Sequence, residues 1–125
     1  MAATTLAQGG DRRSSRHLWQ QLYESADNDW VKSNARLRLA QLDALDQMDA
    51  LAALVRRHTE ARARPPYSWR ELAPFGLRGV PLDSSGTPFE LDATAPGGVR
   101  LSPGSSLSPL PPALAGQQGR AGQAP

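Results

Sequence analysis

The chain has 125 residues, no cysteine and a formal net charge of +2, from 14 basic and 12 acidic side chains. The missing cysteines exclude disulfides, thiolate catalysis and cysteine-based zinc. No apolar run reaches the roughly 20 residues that a membrane-spanning helix needs.

The length fits one small domain plus tails, a size that is marginal for a lone core. Arginines greatly outnumber the single lysine, Lys32, and Ala, Gly and Pro are abundant. This bias points to a GC-rich bacterial gene and says nothing of chemistry. The first residues are interrupted by Gly9, Gly10 and Asp11, so they lack the apolar core of a signal peptide. The compartment stays open, with the cytoplasm as the default expectation.

In chain order, Asp11 suits an N-cap, because its carboxylate accepts from free backbone N–H groups. A helix over residues 12–26 places Ser15, Leu18, Trp19, Leu22 and Tyr23 on one face. Asp27-Asn28-Asp29 supplies a turn and a second cap. The next helix starts near Trp30 and meets no Gly or Pro until Pro65. Val31, Ala35, Leu39 and Leu42 form one stripe on it. Leu45, Met48, Ala52 and Val55 form another, rotated by roughly 100°. The reading is one nearly continuous helix using two faces against different neighbours. Arg56, Arg57, His58, Arg62 and Arg64 suit its C-terminal dipole, and Pro65-Pro66 terminates it.

Ser68 with Glu71 is a capping-box pattern opening a short helix. Trp69, Leu72 and Phe75 recur every third residue and can dock on the long helix. Asp83-Ser84-Ser85-Gly86 reads as a turn. Phe89-Glu90-Leu91 and Val99-Arg100-Leu101 alternate, and Pro96-Gly97-Gly98 between them permits a hairpin. In the simplest register Phe89 faces Leu101, Leu91 faces Val99, and Glu90 faces Arg100 on the wet side. From Pro103 onward Pro, Gly, Ser and Gln dominate, a composition that predicts an uncollapsed and finally disordered tail.

Three stretches carry a resemblance. They are Gly10-Asp11 with Trp19 and Leu22, residues 35–46, and the run from Ser68-Trp69 through Leu77-Arg78-Gly79-Val80-Pro81 to Gly86-Thr87-Pro88-Phe89. Together they resemble the C-terminal region of bacterial tetratricopeptide-repeat proteins. The resemblance implies the closing element of a helical array, its first helix reduced to a stub at residues 2–8, and so a truncation or wrong start at Met1. The Asp83-Ser84-Ser85-Gly86-Thr87-Pro88-Phe89 stretch is also similar to a motif of the major pseudopilin of type II secretion. Ser84 replaces the usual proline there and Phe89 the usual tyrosine, and the apolar pilin helix is absent.

The expected fold is mostly α, a helical hairpin with one long helix, plus a small C-terminal β-hairpin. It divides into a helical segment at 1–64, a short helix and hairpin at 65–102, and a disordered tail at 103–125. No catalytic, cofactor-binding or metal-binding set emerges. His17 and His58 lie on different helices and read as solvated. Asp43, Asp46 and Asp49 read as a solvated strip or as partners of Arg36, Arg38 and Arg56. Ser14 and Ser15 lack an oxyanion context. The arginines lack stacking aromatics, so no nucleic-acid role is expected. What remains is an interaction surface at Leu18, Trp19, Leu22 and Tyr23, facing upstream repeats or another protein. The expected function is scaffolding without catalysis or membrane insertion. The alternative is a pilin-like subunit of a secretion machine.

Overall fold

The computed structural model describes residues 12–111. Helix α1 spans Arg12–Ser25 and helix α2 spans Asp29–Arg62. Strand β1 (Glu90–Leu91) pairs antiparallel with β2 (Val99–Arg100). Two 3-10 turns, Trp69–Phe75 and Pro96–Gly98, complete the set. The chain is mostly helical with a small C-terminal hairpin, as its patterning predicts. The Asp11 cap and the terminal tail at 112–125 lie outside the described residues.

The 34 residues of α2 run without a break, a rod of about 51 Å at 1.5 Å per residue. Asn28 caps it, its Oδ1 accepting from the N–H groups of Trp30 (2.7 Å) and Val31 (3.1 Å). At the other end Ala63 takes a left-handed conformation, φ 62°, and its N–H donates to the Thr59 carbonyl. Pro65 then bars further helix.

Leu42, Leu45, Met48, Leu51 and Val55 of α2 share one core with Leu72, Phe89, Val99 and Leu107. The segments after α2 complete its core rather than build their own. Trp69, Leu72 and Phe75 line up against α2 because the segment is a 3-10 helix, which repeats every third residue. The Trp69 indole N–H donates to the Phe89 carbonyl (3.0 Å) and ties this turn to the hairpin.

The hairpin has the expected register, Glu90 opposite Arg100 and Leu91 opposite Val99. The outward pair closes as an ion pair of 2.6 Å. Phe89 and Val99 are buried, whereas Leu91 and Leu101 are only half-buried. Two-residue strands leave their flanks partly in water.

Past Pro103 the structure corrects the reading. Leu107 lies in the core and Ser105 is buried. The Gln41 side-chain amide donates to the Leu107 carbonyl (2.8 Å), and the Ser105 hydroxyl donates to Asp83 (2.6 Å). Two buried hydrogen bonds and one leucine anchor a segment whose composition alone predicts no collapse. The packed unit therefore does not end at residue 102.

Gly97 and Gly98 lie directly on α2. Gly97 has φ 71°, and a Cβ there would sit 2.7 Å from the Ala52 Cβ. Gly97→Ala is expected to cost about 2 kcal/mol, combining the left-handed backbone penalty with overpacking. Urea denaturation reads this, and adding Ala52→Gly is expected to return part of the loss.

Candidate functional site

The predicted interaction surface is the apolar stripe of α1, and the structure splits it lengthwise. Ser15 is buried, and Trp19 is half-buried and packs against the core. Leu18 and Leu22 are 51% and 39% exposed. At 100° per residue Trp19 and Tyr23 lie beside Arg12 and Arg16, Ser15 sits mid-stripe, and Leu18 and Leu22 fall on the other margin. Helix α2 takes the first margin and leaves the second to solvent.

The reason is electrostatic. Arg12 contacts Asp46 (2.9 Å) and Asp49 (2.7 Å), and Arg16 contacts Asp43 (2.9 Å) and Asp46 (2.8 Å). Two arginines one turn apart thus meet three aspartates spaced by three along α2. The aspartate strip is thus paired rather than simply solvated. Its partners are on α1, not the expected Arg36, Arg38 and Arg56 of its own helix. Only the helical hairpin brings Arg12 and Arg16 across to the strip. Burial works against ionisation of Asp46, but the guanidinium hydrogen bonds outweigh it and hold its pKa below the ordinary value.

Tyr23 closes the far end of the helix pair. Lys32 and Arg36 lie 5.6 and 5.5 Å from its ring centroid, and Arg36 donates to its hydroxyl (3.2 Å). That bond lowers the Tyr23 pKa, helped by the charge of the same arginine. The stripe therefore serves two ends: Trp19 and Tyr23 fasten α1 to α2, and Leu18 and Leu22 look outward.

A carboxylate whose pKa falls on folding stabilises the fold above its unfolded value and loses that stabilisation as pH falls through the folded one. Acidification below about pH 4 is therefore expected to loosen α1 before the core. Amide exchange at residues 15–23 is expected to accelerate while that of Leu45 and Val99 stays slow. Half-molar salt is expected to give a weaker effect of the same kind, since these pairs are partly exposed.

His58 departs from its expected solvated state. It is 2% exposed, with Nδ1 3.1 Å from the Arg64 carbonyl and Nε2 3.5 Å from Glu71. Its ring meets the edge of Phe75, centroids 5.8 Å apart. The segment after α2 folds back over the helix end and covers it, which flanking arginines do not foretell. Glu71 is held at about 2, down from 4.5, first by the Arg64 hydrogen bond and then by the Tyr67 and Ser68 N–H groups. His17, by contrast, is exposed.

Asp83 organises the turn as expected, yet it is buried. Its Oδ1 accepts from the N–H groups of Ser85 (2.8 Å) and Thr87 (3.1 Å), and its Oδ2 from Ser105. Burial opposes its ionisation, but these bonds prevail and lower its pKa. Among the described residues no group of three or more His, Asp and Glu side chains gathers to hold a metal. No helix among them is long and apolar enough to cross a membrane.

Other exposed apolar groups escape a stripe-based reading. Trp30 is 74% exposed in the first turn of α2, Tyr67 78% beyond its end, and Val80 55% in the loop before the Asp83 turn. Only the position of Trp30 beside a cap hinted at this. No family model, curated protein or solved structure matches the chain.

Proposed function

We propose that this chain is a non-catalytic protein–protein interaction or scaffolding module, the C-terminal end of a tetratricopeptide-like array. Of the stripe Leu18, Trp19, Leu22 and Tyr23, the outward pair Leu18 and Leu22 forms the surface that meets the preceding helices. One observation carries the reading: α1 fully buries Ser15 alone and leaves Leu18 and Leu22, one turn apart, in water. A helix of a repeat array buries its second margin on the next unit. A regular repeat of about 34 residues divides into two helices, whereas α2 alone fills that length. In this reading α2 is a terminal element, its C-terminal half capped by the 3-10 turn and hairpin instead of another repeat.

The isolated chain is expected to self-associate or bind an apolar dye through this margin. The double variant Leu18→Glu with Leu22→Glu is expected to abolish both without lowering the melting temperature. A wild-type chain that neither associates nor binds dye would remove the basis of the proposal.

The hairpin docked beside the Asp83 turn on a long helix favours a second reading, a pilin-like structural or assembly component. The in-frame sequence encoded upstream of Met1 separates the two. Repeats with a period near 34 residues support the array, and an apolar anchor helix supports the pilin-like subunit.

A further inference from the structure

A second surface, sharing no residue with the α1 margin, lies where the segment after α2 passes the hairpin. Tyr67, Trp69, Arg70, Val80 and Leu91 line a groove open to solvent. We propose that this groove binds an extended, acidic segment of a partner protein.

Three observations carry the proposal. The first is an open sheet edge. The Asp92 N–H donates to the Gly98 carbonyl (2.9 Å). Bonded and non-bonded pairs alternate in an antiparallel ladder, so the Leu91–Val99 pair directs the Leu91 N–H and C=O away from β2. On that same side, two residues earlier, Phe89 is already satisfied: its N–H donates to the Pro81 carbonyl and its C=O accepts from Trp69. Leu91 is the next position along that edge, where an added extended chain can continue the pairing.

The second is apolar exposure on either side of that edge. Tyr67 and Val80 are 78% and 55% exposed, so side chains alternating along a bound strand find apolar contacts.

The third is charge. Residues 56–78 carry six arginines against Glu60 and Glu71. Glu71 is occupied by Arg64 and by the Tyr67 and Ser68 N–H groups. Glu90, the carboxylate in the groove, is paired with Arg100. Arg70 on the groove wall has no carboxylate within ion-pair distance among the described residues. A ligand with carboxylates supplies what this wall lacks. Single-stranded nucleic acid fits less well, because it needs successive free aromatic faces. Arg64 already stacks 4.5 Å over the Tyr67 ring, and Trp69 is half-buried and tethered to Phe89.

The test uses the full chain, labelled for amide NMR, and the acetylated, amidated probe peptide Glu-Val-Glu-Val-Glu-Val. Saturable shifts are expected at Tyr67, Val80 and Leu91. Arg70→Glu and Val80→Asp, both at exposed positions, are each expected to weaken binding several-fold with an unchanged melting temperature. Arg13→Glu is expected to leave it unchanged. The proposal is overturned by absence of saturable shifts at millimolar probe in low salt, or by equal binding of the Lys-Val counterpart. Indifference to both groove variants overturns it too, as does tighter binding of oligothymidylate than of the peptide. Shifts confined to Leu18 and Leu22 also overturn it, while leaving the α1 surface as the docking site.

Discussion

Replacing Phe89 by alanine is expected to remove a large share of the stability of this chain. Phe89 is 1% exposed and stands at the junction of the hairpin, the 3-10 turn and α2. Truncating a buried phenylalanine costs about 3–5 kcal/mol, the lost transfer energy plus the cavity left behind. A domain of this size has on the order of 5–15 kcal/mol in total. The melting temperature is expected to fall by roughly 15–20 °C. Its carbonyl still accepts from Trp69 in the variant, because that bond uses the backbone, so the loss reports packing alone. Phe89→Leu, which keeps much of the volume, is expected to cost under about 2 kcal/mol. Equal losses for the two variants would show that the site is not tightly packed.

Asp83→Ala is expected to cost about 3 kcal/mol. Hydrogen bonds to a charged group contribute about 1.5–3 kcal/mol each, but Ser85 and Thr87 reach water after the change and recover part of the loss. Ser105 does not, being 4% exposed. The Ser105 hydroxyl also accepts from the Leu107 N–H (3.1 Å), so the damage passes to the anchor of the last described segment. Asp83→Asn is expected to be milder: one amide oxygen still accepts from Ser85 and Thr87, and the amide can donate to Ser105. The Asp83 pKa lies below the ordinary value, so the difference between wild type and Asp83→Asn is expected above about pH 4 and to vanish as pH falls through the folded value. Urea denaturation at pH 7 and pH 3 measures both effects. A difference that persists unchanged at pH 3 would exclude the carboxylate charge as its source.

Local patterning was enough for α2, for the hairpin register and for the 3-10 segment. In α2 no breaker interrupts residues 30–64, and the rotation between its two stripes has a cause: α1 takes one face and the C-terminal segments the other. The alternation around Glu90 and Arg100 admits one register that buries Phe89 and Val99 together. Long-range polar contacts were not legible. Arg12 with Asp49, Gln41 with Leu107, and Asp83 with Ser105 are separated by 37, 66 and 22 residues. Periodicity orders apolar residues along an element but does not say which polar group meets which across elements. The burial of His58 and Ser105 is hidden from sequence for this reason, since each lies among residues whose usual place is in water. The candidate surface was half legible: the stripe on α1 stood out, but which margin faces α2 depended on Arg12 and Arg16.

The bond from Gln41 to the Leu107 carbonyl spans 66 residues, and this distance sets a timetable during synthesis. A ribosome adds roughly 5–20 residues per second. Leu107 is therefore added about 3–13 seconds after Gln41. Through that interval α2 can form its own backbone bonds, yet Leu42 and Leu45 lack the side chains that finally cover them. The nascent rod is thus an exposed apolar ligand for holding chaperones, and it ceases to be one when the last anchor arrives. Ribosomes stalled before residue 105 are expected to retain such a chaperone, and ribosomes stalled well beyond it to release it.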